Sequence, residues 1–464
     1  MIEKFERRGK WWLPAQEDDR IDGTLTYSPA DGAILELAGA FGALPGLLAS
    51  GSFPAPRIIL GTTASGEYIT LLNCAQKRWH TAGTYLTSSY RVEVVFVGAH
   101  FQSHDEIEFE SLYVHYSHLD SWAGFHYFEH TREEGATMVS YRNPRPIVAY
   151  VGDGLAVSVD PAVSEQGEGS PPRRVILEAD SRVRIRRGEP THLDRFLRPM
   201  RLTQVFLSLG VGAAVHPVAV TGVHLEMPDD AAIPRCVGIH WQPAVAVAAQ
   251  RALFPSEMMF TLPDISDRFE RFLRNWFQTA ELLGPVVDLY LAALAETGIY
   301  AEHRFLTLCQ ALESLHRRRH GGHYLSRDEY GPAYVQLIHA IPDWIAPDHR
   351  TALEARLKYG HEYSLRKRLT DIFSAHDPVL REVFLDPPSF INKVVKTRNY
   401  FTHYDEEDEQ DAATGGLELH RLASNLRTLI EVCLLSEIGF TSEELRKQLK
   451  EISSRRVIEP ILYE

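Results

Sequence analysis

The sequence predicts an α+β protein: a β-rich N-terminal domain over residues 1–264, sandwich- or barrel-like, then an all-α helical bundle over 265–464. Three observations carry this expectation. Of the 26 prolines, 18 lie before residue 265, and proline is expelled from helix interiors by its missing N–H and its ring. The first part consists of short apolar runs separated by Gly, Pro, Asn and Ser, the punctuation of strands. In the second part apolar residues recur at three- and four-residue spacing, the period of a helix face. A chain of 464 residues has room for two or three domains, so core size is not limiting.

Strands are expected at 23–28, 33–39, 57–63, 67–73, 91–98 and 106–116, then at 173–180, 182–187 and 218–227. Around Ile107 and Phe109 charged and apolar residues alternate, as in a half-buried strand. The stretch DPAVSEQGEGSPP (160–172) reads as a loop by its Ser, Gly and Pro content. One helix interrupts, over 191–210, with Leu193, Phe196, Leu197 and Met200 on one face and Pro199 expected to kink it. In the second part, 265–283 spaces Phe269, Phe272, Leu273, Trp276 and Phe277 along a helix, and 303–319 does so with Phe305, Leu308, Leu312 and Leu315. Further helices are expected at 348–358, 364–375, 389–402, 416–437 and 441–453, the last opened by the capping pattern Thr441-Ser-Glu-Glu444.

Composition narrows the function classes. Apolar residues at 44% and charged residues at 24% exclude wholesale disorder and fibrous architectures. A net charge of −14 argues against coating nucleic acid or anionic membrane by bulk charge, and leaves a local basic cleft open. Cys74, Cys236, Cys309 and Cys433 are widely spaced, fitting neither a disulfide framework nor a thiolate zinc site, so a reducing cytoplasm is expected. The N-terminus lacks a signal-peptide apolar core, and the greasy run 282–295 is too short to span a membrane.

The residues with the clearest chemistry are in KVVKTRNYFTHYD (393–405), where Arg398 and His403 form an Arg-x4-His pair with Asn399 beside the arginine. Histidine, with an ordinary pKa of about 6.5, can take a proton from a ribose 2′-hydroxyl or give one to a leaving 5′-oxygen. Arginine supplies a forked charge to a phosphate that grows more negative in the transition state. The spacing alone is weak evidence. Chance predicts roughly two such pairs in this composition, and there are five: Arg187/His192, Arg235/His240, Arg318/His323, Arg356/His361 and Arg398/His403. Only the last sits at the end of an apolar-periodic helix, with Phe390, Ile391, Val394 and Val395 before it. On an ideal helix the two side chains are about 140° apart, so they converge only if the arginine bends round or the helix ends near Thr402.

This stretch resembles the signature of ApeA-like HEPN ribonuclease domains, which is Arg, a polar residue, a few residues, then His. HRFLTLCQALESLHRR (303–318) and KYGHEYSLRKRL (358–369) resemble the family's preceding segments, and residues 9–28 and 59–74 resemble its N-terminal β domain. The resemblance to the ApeA anti-phage defence family thus covers most of the chain. It implies a metal-independent endoribonuclease acting in abortive infection, without a cofactor. Its RNA could be tRNA, and its products would carry 2′,3′-cyclic phosphate ends. It further implies a homodimer or higher symmetric oligomer in which two HEPN domains line one cleft, with the N-terminal domain as candidate sensor of a phage-derived trigger. By the same resemblance His403 is the acid/base, Arg398 the phosphate ligand and Asn399 its support. Glu313 is either a supporting acid or an exposed helix glutamate.

Other groups stay open at this level. Arg317, Arg318 and Arg319, with His316, His320 and His323, form either an RNA phosphate track or a solvated helix end. His115, His118, His126 and His130 could suggest a metal, although aromatics around them favour ordinary strand or loop histidines. Trp11 and Trp12 are either core or base-stacking residues. Two rival readings remain: a non-catalytic HEPN scaffold for dimerisation or RNA binding, and a ligand-binding β module with an accessory helical tail.

Overall fold

The computed structural model describes residues 4–41, 57–82, 85–134, 136–168, 173–226, 233–242, 251–295, 300–381, 383–404 and 409–453. It divides into two compact units, Met1–Arg274 and Asn275–Glu464. The first is β-rich and the second all-helical, so the α+β class read from the sequence is the class observed.

In the first unit, β1 (Phe5–Trp12), β2 (Ile21–Ser28), β3 (Gly32–Leu37), β4 (Ile58–Thr63), β5 (Tyr68–Ala82) and β6 (Tyr85–Val97) close a six-stranded barrel. The order is β6-β3-β2-β1-β4-β5, with β5 pairing back to β6. Alternation dictates what fills it: Trp11, Leu25, Tyr27, Leu35, Ile59, Ile69, Leu71 and Tyr90 point inward and pack as one cluster. Trp11 and Trp12 are 0% and 3% exposed, which makes both of them core residues. Trp11 is paired in register with Gly61, and a Cβ on that glycine would stand 2.3 Å from Cε3 of the indole. Gly61→Ala is therefore expected to destabilise the protein by roughly 1–3 kcal/mol through overpacking, read as a lower denaturation midpoint in urea.

From β6 the sheet continues through β7 (Glu108–Tyr116), β10 (Ile147–Gly152), β11 (Leu155–Glu168), β12 (Arg174–His192), β13 (Pro217–Glu226) and β14 (Ile233–Trp241), in the order β14-β13-β7-β12-β11-β10. A separate hairpin joins β8 (Phe128–Glu133) and β9 (Ala136–Tyr141). Two expectations need correction here. Residues 160–168 are strand rather than loop, because β11 pairs with β12 from Ala156↔Arg186 out to Glu168↔Arg174; cross-strand bonding overrides turn-like composition. The two strands expected at 173–180 and 182–187 are the single strand β12.

A short helix, α1 (Leu119–Ala123), and a long one, α2 (Asp194–Val211), pack with this unit. In α2 Leu193, Phe196 and Met200 are buried as expected, whereas Leu197 is 44% exposed. The helix runs through Pro199. The carbonyl that Pro199 cannot bond, that of Arg195, instead accepts a hydrogen bond from the Arg187 guanidinium at 3.2 Å.

The longer helices that follow are α3 (Phe269–Leu283), α4 (Pro285–Ala295), α5 (Ala301–His320), α6 (Arg327–His339), α7 (Pro347–Leu357), α8 (Leu365–Ala375), α9 (Pro387–His403), α10 (Gly416–Ile438) and α11 (Ser442–Ser453). At the start of α11 the expected capping box is made: Thr441 N–H donates to Glu444 at 2.8 Å and Glu444 N–H to the Thr441 hydroxyl at 3.3 Å. α6 lies outside the sequence expectations. Its own capping box, Ser326 with Glu329, is equally plain, but Gly331 and Pro332 inside the helix obscure the pattern. α5 packs against α4 and α10 and also touches α8 and α9. Its Phe305, Leu308, Leu312 and Leu315 are buried.

Candidate active site on α9

α9 begins where Asp386 accepts from Ser389 N–H at 3.1 Å and Pro387 fits the first turn. Phe390, Ile391, Val394, Thr397 and Phe401 form its buried face. Thr397 also accepts from Ala413 N–H at 2.9 Å, which ties the helix to the segment before α10. Arg398 is on the other side, its side chain 37% exposed. It opens into a cleft of about 480 Å³. α9 contributes Val395, Arg398 and Asn399 to the lining, α5 contributes Glu313 and Arg317, and the start of α8 contributes Tyr363 to Arg366 with Arg368.

Four arginines and one carboxylate make this lining strongly basic within an acidic protein. Arg398 is held only loosely, whereas Arg317 is paired with Glu362 at 3.0 Å and Arg366 donates to the Asn392 amide oxygen at 2.7 Å. Arg398 Nη2 is 3.9 Å from Glu313 Oε1, and its Nη1 makes a 3.4 Å contact with the Asn399 amide oxygen. By contrast Lys393 is bonded to Glu418 at 2.6 Å, and Lys396 is bonded to Asp411. Arg368 is 2% exposed and structural: it donates to the Tyr363 and Gly322 carbonyls at 3.2 and 3.3 Å and lies 3.4 Å from His316 Nδ1.

Burial holds the His316 imidazole below its ordinary pKa, with His320 and Arg368 adding to the effect against Asp371. His376 is lowered as well, again chiefly by burial. Both take up a proton less readily in the folded protein than an unfolded histidine, which protonates near pH 6.5. The unfolded state therefore binds more protons on the acid side. Their contribution to stability is present above about pH 6.5 and is lost as pH falls below it. Melting temperature is expected to fall between pH 7.5 and 5.5, and less steeply in His316→Gln.

α9 continues through His403 and ends only at Tyr404, which caps it in the left-handed region with φ 52°. The helix thus runs one residue past Thr402, and the Arg398 guanidinium is turned toward Asn399 and Glu313. His403 is exposed at the helix terminus and is absent from the cleft lining. Thus Arg398, Asn399, Glu313 and Arg317 come together and His403 stands apart. Arg318 and Arg319 also turn elsewhere, Arg318 to the Leu282 carbonyl at 3.1 Å and Arg319 to Glu437 at 2.8 Å. Asp405, Glu406 and Glu407 lie outside the described residues. His115 pairs with Asp120 at 3.4 Å, and among the described residues His115, His118, His126 and His130 form no metal-binding group.

Sequence reading did not place Tyr363, Ser364, Arg366 and Arg368 in the cleft. The usable signal was Ser364 as the cap of α8, where it accepts from Lys367 N–H at 3.3 Å, followed at once by basic residues. Among the described residues no helix is long and apolar enough to cross a membrane.

Comparison with known proteins agrees with this architecture. The model for ApeA N-terminal domain 1 matches residues 6–276, and that for the Apea-like HEPN domain matches 306–444. No curated protein and no solved structure matches the chain. Since the first match alone spans more than half of the sequence and the second follows it in order, the chain belongs to the ApeA family.

Proposed function

We propose that the protein is an endoribonuclease of anti-phage defence, and that two copies combine their helical parts to form its active site. The observation that supports this most is Arg398, a part-exposed guanidinium that opens into a basic cleft and is held to Glu313 only at 3.9 Å. Such a group can take a phosphodiester by two parallel N–H···O bonds, with Asn399 as a second donor. HEPN domains are generally ribonuclease-type, which favours RNA over other phosphodiesters. A lining with a single carboxylate is poorly suited to a two-metal mechanism, so proton transfer by histidine is the fitting chemistry.

In this mechanism His403 takes the proton from a ribose 2′-hydroxyl. The 2′-oxygen bonds to phosphorus, the bond from phosphorus to the 5′-oxygen breaks, and a protonated His403 supplies the proton that the leaving oxygen needs. Arg398 and Asn399 stabilise the additional negative charge on the phosphoryl oxygens. One histidine cannot begin both neutral and protonated. A two-fold partner supplies the second, and brings a histidine to the cleft that each chain's own His403 does not reach.

The products are then a 2′,3′-cyclic phosphate and a 5′-hydroxyl. Sequencing of RNA ends after incubation at 25 °C with excess chelator is expected to find both. Ends bearing 5′-phosphate, or cleavage only after Mg²⁺ is restored, would overturn the mechanism. Binding without cleavage would leave an RNA-binding scaffold instead.

A further inference from the structure

We propose that the first unit carries a divalent metal site, suited by its donors to zinc, formed by His104, His192 and Asp194. The three come from separate elements: His104 from a single helical turn before β7, His192 from the last position of β12, and Asp194 from the first turn of α2. Pairing of His192 with Glu108 and a 3.1 Å bond from Leu193 N–H to the Ile107 carbonyl hold these elements together. One donor atom from each residue lies within 4.8 Å of the other two. His192 Nδ1 and Asp194 Oδ2 are already 3.3 Å apart, close to the roughly 3.4 Å between neighbouring ligands of a tetrahedral zinc ion.

The hydrogen bonds prepare the lone pair that a metal needs. His192 Nε2 is 3.1 Å from the His104 carbonyl oxygen, which can only accept, so Nε2 carries the proton. Nδ1 then presents its lone pair toward Asp194, where it meets both the N–H, in a long 3.3 Å bond, and Oδ2 at 3.3 Å. A histidine whose second nitrogen donates to a backbone carbonyl is the usual support of a metal-bound imidazole. The rings of His104 and His192 are 4.4 Å apart, and with three protein ligands the fourth position of a tetrahedral ion would fall to water. Two imidazoles and one carboxylate suit zinc better than magnesium or calcium, which take oxygen ligands. The register of β12 against β7 shifts between Arg186 and Thr191, just before these ligands. The ion would fasten the chain where it leaves the sheet for α2, and it takes no part in the chemistry proposed for α9.

The test uses the full chain, stripped with chelator and dialysed, then titrated calorimetrically with zinc sulfate. One site per chain is expected, weakened at least tenfold in His104→Ala and in Asp194→Asn. With zinc a hundredfold above its Kd, wild-type melting should rise by about 5–10 °C while the two variants stay unmoved. Cobalt(II) should give the intense visible bands of a four-coordinate ion in wild type only. Asp194→Asn keeps the backbone N–H and the side-chain shape, so with unchanged circular dichroism its loss of binding reports the ligand and not the fold. No zinc uptake, or equal uptake by both variants, would overturn the proposal.

Discussion

His403→Ala is expected to lower RNA cleavage by about 10²–10⁴-fold, the range removed with a general acid or base, while the fold remains intact. The side chain is at an exposed helix end, and the described residues give it no hydrogen bond or ion pair to lose. Loss of activity without loss of stability is therefore the signature of proton transfer. Mixed dimers sharpen the test. If two histidines across a two-fold axis act as base and acid, one defective copy silences the pair. Equal co-expression of wild type and variant then leaves about a quarter of the activity, since only that share of dimers carries both histidines. Independent chains would retain a half. A linear decline with the fraction of variant would refute the shared site, and a fully active His403→Ala protein would refute the chemistry.

The largest stability effect is expected from Arg427→Met in α10. Glu431 is 0% exposed and is held by Arg427 Nε at 2.8 Å and by the Tyr290 hydroxyl at 3.0 Å. Met fills the volume but leaves a carboxylate in the interior without its countercharge, a change that costs about 3–5 kcal/mol. Chemical denaturation should show this as a lower midpoint. Replacing both partners, as Arg427→Met with Glu431→Leu, should recover most of the loss, because no charge is then left to desolvate. A single variant within about 0.5 kcal/mol of wild type, the scatter of ordinary surface changes, would mean that water reaches the pair.

The helices were the most legible part of the sequence because what makes them is local. Thr441 with Glu444, and the buried run Phe390, Val394, Thr397 and Phe401, state their helices within a few turns. Strand pairing is not local. Nothing in 160–168 announces a strand until β12 lies beside it, and the return of β5 to β6 that closes the barrel follows from twist and register. The site divides in the same way. Arg398, Asn399 and His403 are readable because they lie in one stretch. Arg366 and Ser364 reach the same cleft only because α8 starts beside α9, a matter of packing. The spacing already sets Arg398 and His403 about 140° apart on an ideal helix; where α9 ends, at His403, is what it did not fix. The His104 carbonyl and the His192 ring are 88 residues apart in the chain, beyond any motif.

β6 has one further consequence. Along its length it pairs with β5, while on its other edge Ser88–Val92 pair with β3 and Val94–Val97 pair with β14. A single strand is thus common property of the barrel and of the sheet beyond it. An excised fragment ending before β7 would keep all six barrel strands, yet would expose the Val94–Val97 edge, a short apolar ribbon with unmet backbone donors and acceptors. Such a fragment should self-associate rather than remain monomeric. For protein engineers the barrel is therefore a poor unit to transplant, and any shortened version should retain β14 as a cover.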